Sequence, residues 1–108
     1  MNKKMNPQDI ARQLHSLNNG TSSKWFLSND RIKKAFSFTD FKQALDFMVN
    51  VGHYAEKLDH HPEWCNRYNK VSIELTTHSA GGITDMDFRL AAKIEEVFNK
   101  TGWNCCRM

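Results

Sequence analysis

The spacing of apolar residues switches between two periods along this chain, and this switching limits the available folds more than any other feature. In three segments apolar residues recur every three or four positions, as on one face of a helix. In the segments between them, apolar and polar residues alternate, as in strands buried on one face. The order is helix, strand, strand, helix, strand, strand, helix. It predicts an α+β fold in which three helices cover one face of a four-stranded antiparallel sheet and leave the other face open.

Capping residues and glycines bound the first and third helices. Asn6, followed by a proline, begins the first helix, which is expected to run until Gly20. Thr84 begins the third helix, which is expected to run until Gly102. The residues predicted to be buried share one face of each helix, and they are Ile10, Leu14 and Leu17 on the first and Leu90, Ala91, Ile94, Val97 and Phe98 on the third.

The second helix carries more apolar surface than one sheet would cover. Thr39 or Asp40 begins it, and it should end near Leu58. Its predicted buried face consists of Phe41, Ala44, Leu45, Met48, Val51 or Gly52, Ala55 and Leu58. Phe47 and Tyr54 lie off this face, so we expect them either to pack under the connecting loops or to contact another subunit.

Two hairpins supply the four strands. The first runs from Trp25 to Phe38 and turns at residues 28–30. The second pairs residues 64–68 with residues 70–78. In its last strand the apolar Val71, Ile73 and Leu75 share the odd-numbered face, so His78, an even-numbered residue at the strand end, is predicted to point outward.

Length and composition exclude several classes of protein. The 108 residues suit one domain, residues 1–108, and the net charge of +3 comes from scattered Lys and Arg without the runs that follow a nucleic acid backbone. No apolar stretch of the sequence approaches the roughly 18 residues that a membrane-spanning helix needs. The sequence also starts without the apolar core of a signal peptide, so a cytoplasmic or other intracellular location is expected. Three cysteines, with Cys105 and Cys106 adjacent, make no disulfide framework, which fits a reducing compartment. Cys65 is expected to be a small, half-buried filler.

Three of the five histidines surround the second hairpin. Pro62 restricts His61 to extended backbone geometry, which holds His60 and His61 on a corner with diverging rings. The hairpin turn would bring this corner close to His78 at the far end of the other strand. Imidazole titrates near neutral pH, so the cluster indicates acid-base chemistry. For His60 and His61 alone, the interpretation that they only solvate a helix-to-strand corner has about equal weight.

The same residues allow other interpretations of this region. Zinc is disfavoured because adjacent side chains point apart and the usual ligand spacings are missing. A nucleophilic role for Cys65 is disfavoured more strongly than zinc binding, since no oxyanion hole can be identified. Asp87 lies three residues after Thr84, where a capping role is the safer prediction, but it also lies one loop beyond His78. A tryptophan in such a position is more often part of the core than a stacking platform for a flat heterocycle over the open sheet face, so a core position is the favoured interpretation for Trp64.

The same segment resembles the pterin-4a-carbinolamine dehydratases, and looser agreement extends over nearly the whole chain. The matching residues are His60-His61-Pro62-Glu63-Trp64, then Tyr68, Asn69, Lys70, Val71 and Leu75, then Thr77-His78, Gly81-Gly82-Ile83-Thr84, Asp87 and Leu90-Ala91. The resemblance implies an enzyme of tetrahydrobiopterin recycling that dehydrates 4a-hydroxytetrahydropterin to quinonoid dihydropterin. It implies the pterin as substrate and neither a metal nor an organic cofactor.

The resemblance also implies roles for individual residues. His60, His61 and His78 would be the catalytic, pterin-holding imidazoles, and Asp87 would orient a histidine or contact the pterin. The residues implied to line the pocket are Asp59, Pro62, Trp64, Thr76, Thr77 and Ser79. The family further includes dimerisation cofactors of a homeodomain transcription factor, so the alternative function is a helix-face binding protein, with a nuclear location in that case. A homodimer or homotetramer is expected.

Overall fold

The computed structural model describes residues 3–21 and 23–100, and it has the predicted order of elements. Gly102, Cys105 and Cys106 lie outside the described residues. The elements are α1 (Pro7–Asn18), β1 (Phe26–Ser28), β2 (Arg31–Ser37), α2 (Phe41–Leu58), β3 (Glu63–Arg67), β4 (Lys70–Leu75), a one-turn 3-10 helix (His78–Ala80) and α3 (Asp85–Lys100). All strand pairs are antiparallel, in the order β1-β2-β4-β3. The α+β prediction is confirmed.

Side-chain caps begin the helices near the predicted positions. The side-chain oxygen of Asn6 accepts a 2.8 Å hydrogen bond from the backbone N–H of Asp9, and that of Asp40 accepts one of 2.9 Å from Gln43. Asp40 is therefore the cap of α2, and Leu58 is its last residue, as expected. Within the described residues, no helix is long and apolar enough to span a membrane.

The core lies between the helices and one face of the sheet, and it corrects the prediction for α2. Phe47 is fully buried, with its ring centroid 5.1 Å from that of Phe36 and 4.9 Å from that of Phe38. The buried face of α2 is thus Ala44, Phe47, Val51 and Ala55, whereas the predicted members Phe41 and Leu45 are exposed. Burying a whole phenylalanine side chain removes more apolar area from water than burying Leu45 would, so the helix turns Phe47 inward.

Tyr54 packs along the helical layer and is less exposed than the row of apolar residues on the outer side of α2. It is half-buried against the core, and the ammonium groups of Lys93 and Lys57 lie 5.0 and 5.9 Å from its ring centroid. The exposed apolar residues of α2 are instead Phe41, Leu45 and Val49, spaced four residues apart on one side of the helix. We call this row the α2 apolar row.

The register of the second hairpin corrects two further expectations. Cys65 faces Ser72 on the open side of the sheet and is exposed, so the prediction of a half-buried filler is wrong. Trp64 faces Ile73 on the helix-covered side and packs half-buried against the core. Trp64 therefore cannot act as a platform over the open face, because successive side chains of a strand point to opposite faces.

Candidate functional site

The histidine corner is formed by the C-terminal end of α2. Asp59 adopts the left-handed conformation with φ of 53°, and the backbone N–H of His60 donates a 3.0 Å hydrogen bond back to the carbonyl oxygen of Ala55. This is the usual way in which a helix satisfies its last carbonyl groups. Pro62 then leads into β3, so both histidines lie outside the helix as predicted.

His60 is bound to Asp87 at the start of α3. The Nε2 of His60 lies 2.6 Å from Oδ1 of Asp87, and the His60 side chain is only 12% exposed. The other carboxylate oxygen of Asp87 accepts hydrogen bonds of 2.9 Å from the Thr77 hydroxyl and from the backbone N–H of Thr84. Asp87 is fully buried and makes both of the contacts predicted for it, one with the helix cap Thr84 and one with a histidine.

His78 is bound to Glu63, the first residue of β3. Its Nε2 lies 2.7 Å from Oε2 of Glu63, and its side chain is 74% exposed. The outward orientation was predicted correctly, but the element was not, because β4 ends at Leu75 and His78 begins the 3-10 helix. The hydrogen bond from His78, followed by that from the Arg31 guanidinium, holds the pKa of Glu63 below its ordinary value of 4.5.

His61 turns toward α2 instead. Its Nε2 lies 2.5 Å from Oε1 of Glu56, at the surface. The rings of His60 and His61 therefore diverge as expected, one toward α3 and one toward α2. Each of the three histidines has a carboxylate of its own, and since an ionised carboxylate only accepts hydrogen bonds, each pairing directs the Nε2–H toward the carboxylate and leaves Nδ1 for another partner.

The remaining predicted residues lie around these three pairs in different ways. Thr76 donates a 3.0 Å hydrogen bond from its hydroxyl to the carbonyl oxygen of Asp30 in the β1–β2 turn. Thr77 is buried, and its hydroxyl contacts Thr84 at 2.8 Å as well as Asp87. Asp59 and Ser79 are exposed, whereas Pro62 and Trp64 are half-buried.

Sequence reasoning missed the acidic partners Glu56 and Glu63 and the cation Arg31. Glu63 stands inside the histidine motif, and its position beside Pro62 at the start of a strand could have indicated it. For Arg31, 32 residues before Glu63, the sequence carries no comparable signal. In residues 3–21 and 23–100 we find no group of three or more His, Cys, Asp or Glu side chains arranged to hold a metal ion.

Comparison with known proteins places the chain among related sequences. The family described as "Pterin 4 alpha carbinolamine dehydratase" matches residues 3–97. A protein of Saccharolobus islandicus (strain M.14.25 / Kamchatka #1), named "Putative pterin-4-alpha-carbinolamine dehydratase", is 49% identical over 83 residues, which cover 75% of this chain and 80% of the relative. A protein of the same name from Sinorhizobium fredii is 46% identical over 96 residues, 87% of each chain.

Two solved structures are similar to this chain. The crystal structure of a transcriptional coactivator/pterin dehydratase from Brucella melitensis has a TM-score of 0.80 and 36% identity, and the match covers 88% of this chain and 98% of that one. A pterin dehydratase-like protein identified as a RuBisCO assembly factor in the alpha-carboxysome has a TM-score of 0.58 and covers 72% of this chain and 90% of that one. At 19% identity, the latter likeness concerns the fold alone.

Proposed function

The chain belongs to the pterin 4 alpha carbinolamine dehydratase family, and on that premise we propose that it dehydrates a 4a-hydroxytetrahydropterin to quinonoid dihydropterin in tetrahydrobiopterin recycling. The observation that supports this most is the pairing of His60, His61 and His78 with three separate carboxylates. The substrate is the pterin itself, and the proposal includes neither a metal nor an organic cofactor.

The proposed reaction is an elimination that histidines can catalyse alone. The bond between C4a and the hydroxyl oxygen breaks, and the hydroxyl leaves as water after a general acid protonates it. The proton on N5 passes to a general base, and a double bond forms between C4a and N5. No electrons are gained or lost overall. General acid-base catalysis of this kind contributes about 10²- to 10⁴-fold in rate.

The three pairings suggest a division of roles. Because each Nε2 is directed to a carboxylate, we assign proton exchange with the substrate to Nδ1 of each ring. His60 and His61 diverge from one corner, so each would act as acid on a different face of the flat pterin. His78 would hold the ring or accept the N5 proton in both cases. Around them, the proposed lining is Asp59, Pro62, Trp64, Thr76 and Ser79, with Thr77 acting through Asp87.

Single-turnover decay of each 4a-stereoisomer, followed by stopped flow, tests these roles. His60→Ala and His61→Ala should each slow one isomer selectively, whereas His78→Ala should slow both by about 10²-fold or more. His15→Ala is the matched control, because His15 is an exposed histidine on α1. Equal slowing of both isomers by His60→Ala and His61→Ala would refute the division of roles. Wild-type rates in all three variants would refute the site.

A homodimer or homotetramer formed through the α2 apolar row is a further part of the proposal. Phe41, Leu45 and Val49 are 44%, 43% and 51% exposed and form one continuous row along α2, and a contiguous exposed apolar surface is a candidate contact surface. The alternative function would use the same row to bind a homeodomain transcription factor. It is supported by the relative described as a transcriptional coactivator/pterin dehydratase. The cytoplasmic location stays a prediction.

A further inference from the structure

A charged cluster on the open face of the sheet surrounds the carboxylate that holds His78. We propose that Glu63 and Arg31 are positioning residues for the dehydration, in which Arg31 fixes Glu63 and Glu63 fixes the orientation and tautomer of the His78 ring. This inference rests on the proposed function, because it names residues that act on the same reaction through His78.

The strand order brings Arg31 to Glu63. Because β4 lies between β2 and β3, Arg31 on β2 must reach across β4 to bind the carboxylate at the start of β3. Glu74 of β4 lies between them, with Cα partners Lys33 on one side and Glu63 on the other. The Arg31 guanidinium binds Glu63 and also lies 3.4 Å from Oε1 of Glu74. It therefore neutralises two adjacent carboxylates that would otherwise repel each other.

The backbone fixes the position of Arg31 relative to His78. Arg31 follows a two-residue turn in which Asn29 and Asp30 have φ of 55° and 58°. Asp30 accepts the hydrogen bond from Thr76, two residues before His78. The turn is thus fastened to the segment that carries the histidine, and Arg31 starts its strand from a defined place beside it. Left-handed geometry at both turn residues matches the twist of the flanking strands.

His78 needs such support because its own surroundings are open. Its side chain is 74% exposed on a single 3-10 turn, and Glu63 is its side-chain partner within the described residues. A bond from Nε2–H to an ionised carboxylate favours one tautomer and leaves Nδ1 with a lone pair that can accept a proton. The lowered pKa of Glu63, caused first by His78 and then by Arg31, is consistent with a carboxylate that stays ionised.

The first measurement needs no substrate. In the ¹⁵N NMR spectrum of the neutral His78 ring, the wild type should show the Nε2–H tautomer. Glu63→Ala removes the acceptor and should produce a mixture of tautomers, while Glu63→Gln, which keeps an uncharged acceptor, should retain much of the preference. Glu74→Ala is the matched control, because it removes the carboxylate that faces Glu63 but does not contact His78.

The second measurement is the rate of dehydration. Glu63→Ala should lower kcat by about 10- to 100-fold with a smaller change in KM, by analogy with carboxylates that orient metal-binding histidines through the second ring nitrogen. Arg31→Gln should shift kcat in the same direction by less, and its control Lys33→Gln should match the wild type. In the His78→Ala background, Glu63→Ala should cause no further loss, because the two residues act as one unit.

Three results would separate the explanations. A Glu63→Ala protein with an unchanged His78 tautomer would overturn the inference. The inference would also be overturned if Glu63→Ala changed the His78 tautomer but kept the wild-type kcat while His78→Ala was slow. If His78→Ala keeps full activity, the proposed role of His78 fails, whereas a tautomer change in Glu63→Ala would still support the positioning contact.

Discussion

The buried ion pair between Lys34 and Glu95 gives the sharpest prediction about stability. Lys34 points from β2 into the helix-covered side of the sheet, and its ammonium lies 2.5 Å from Oε2 of Glu95 on α3. The same oxygen accepts a 2.9 Å hydrogen bond from the indole N–H of Trp25. The side chains of Lys34 and Glu95 are only 4% and 11% exposed. Removing the charge of Glu95 would therefore leave a buried cation without its counter-charge.

We expect Glu95→Gln to lower the free energy of unfolding by about 3 kcal/mol. Breaking one side of a buried pair typically costs about 3–5 kcal/mol. The lower end applies here because the ammonium keeps a second partner, the ring of Phe36, whose centroid is 4.8 Å from Nζ. With a slope of about 1.5 kcal/mol per molar urea, the unfolding midpoint at pH 7 should fall by about 2 M.

The double variant Lys34→Met/Glu95→Gln separates charge from packing. It removes both charges, fills the space of the lysine stem and keeps an amide oxygen as acceptor for Trp25. Its unfolding free energy should lie within about 1 kcal/mol of the wild type. A double variant as unstable as Glu95→Gln would refute the electrostatic reasoning, and a loss below about 1 kcal/mol in Glu95→Gln would mean that water reaches the Lys34 ammonium. The dehydration rate per folded molecule should not change, because neither residue contacts the three histidines.

Three more predictions concern assembly, metal and pH. Leu45→Glu, in the α2 apolar row, should lower the sedimentation coefficient without unfolding the protein, whereas Phe47→Glu should cost about 3 kcal/mol or more in unfolding free energy because Phe47 is buried. A wild-type protein that sediments as a monomer at micromolar concentration would contradict this assembly. Exhaustive chelation should leave the dehydration rate unchanged, since the three histidines are directed to separate carboxylates, and a stoichiometric metal needed for activity would contradict this. Because His78 and Arg31 lower the pKa of Glu63, its stabilisation should be present above pH 4.5 and lost as the pH falls through the lowered value. Urea unfolding of Glu63→Gln should thus differ from the wild type at pH 7 and converge with it well below pH 4.5, while an equal difference at both pH values would refute the linkage.

Local signals in the sequence determined the element order and several boundaries. The cap at Asn6, the last residue of α2 at Leu58 and most of the buried face of α3 follow from capping chemistry and from a single clear period of apolar residues. On α1, Ile10 is buried as predicted, whereas Leu14 and Leu17 are only partly buried. Such signals act over one or two helical turns, so they can be recognised without knowing what the element packs against. The histidine motif was visible for the same reason, as a continuous string.

The inward face of α2 was decided only by tertiary structure. Phe41, Leu45 and Phe47 all lie within two turns, and their spacing allows two overlapping apolar faces. The space between Phe36, Phe38 and Phe98 accepts the ring of Phe47, whose centroid is 6.1 Å from that of Phe98. That space exists only after the sheet and α3 have assembled, so the helix period could not indicate it.

The partners of His60 and His78 were likewise decided by the assembled fold. Asp87 is 27 residues from His60 in sequence, and Glu63 is 15 residues from His78. Their contacts depend on the strand order β1-β2-β4-β3 and on the packing of α3 beside the histidine corner. The sequence could predict three imidazoles around one hairpin because a hairpin is a short-range structure. The contact between Glu56 and His61 joins residues only five positions apart. Which carboxylate fixes His60 or His78 is instead set by the distances between separate elements, and a residue pattern that repeats over a few positions carries no information about those distances.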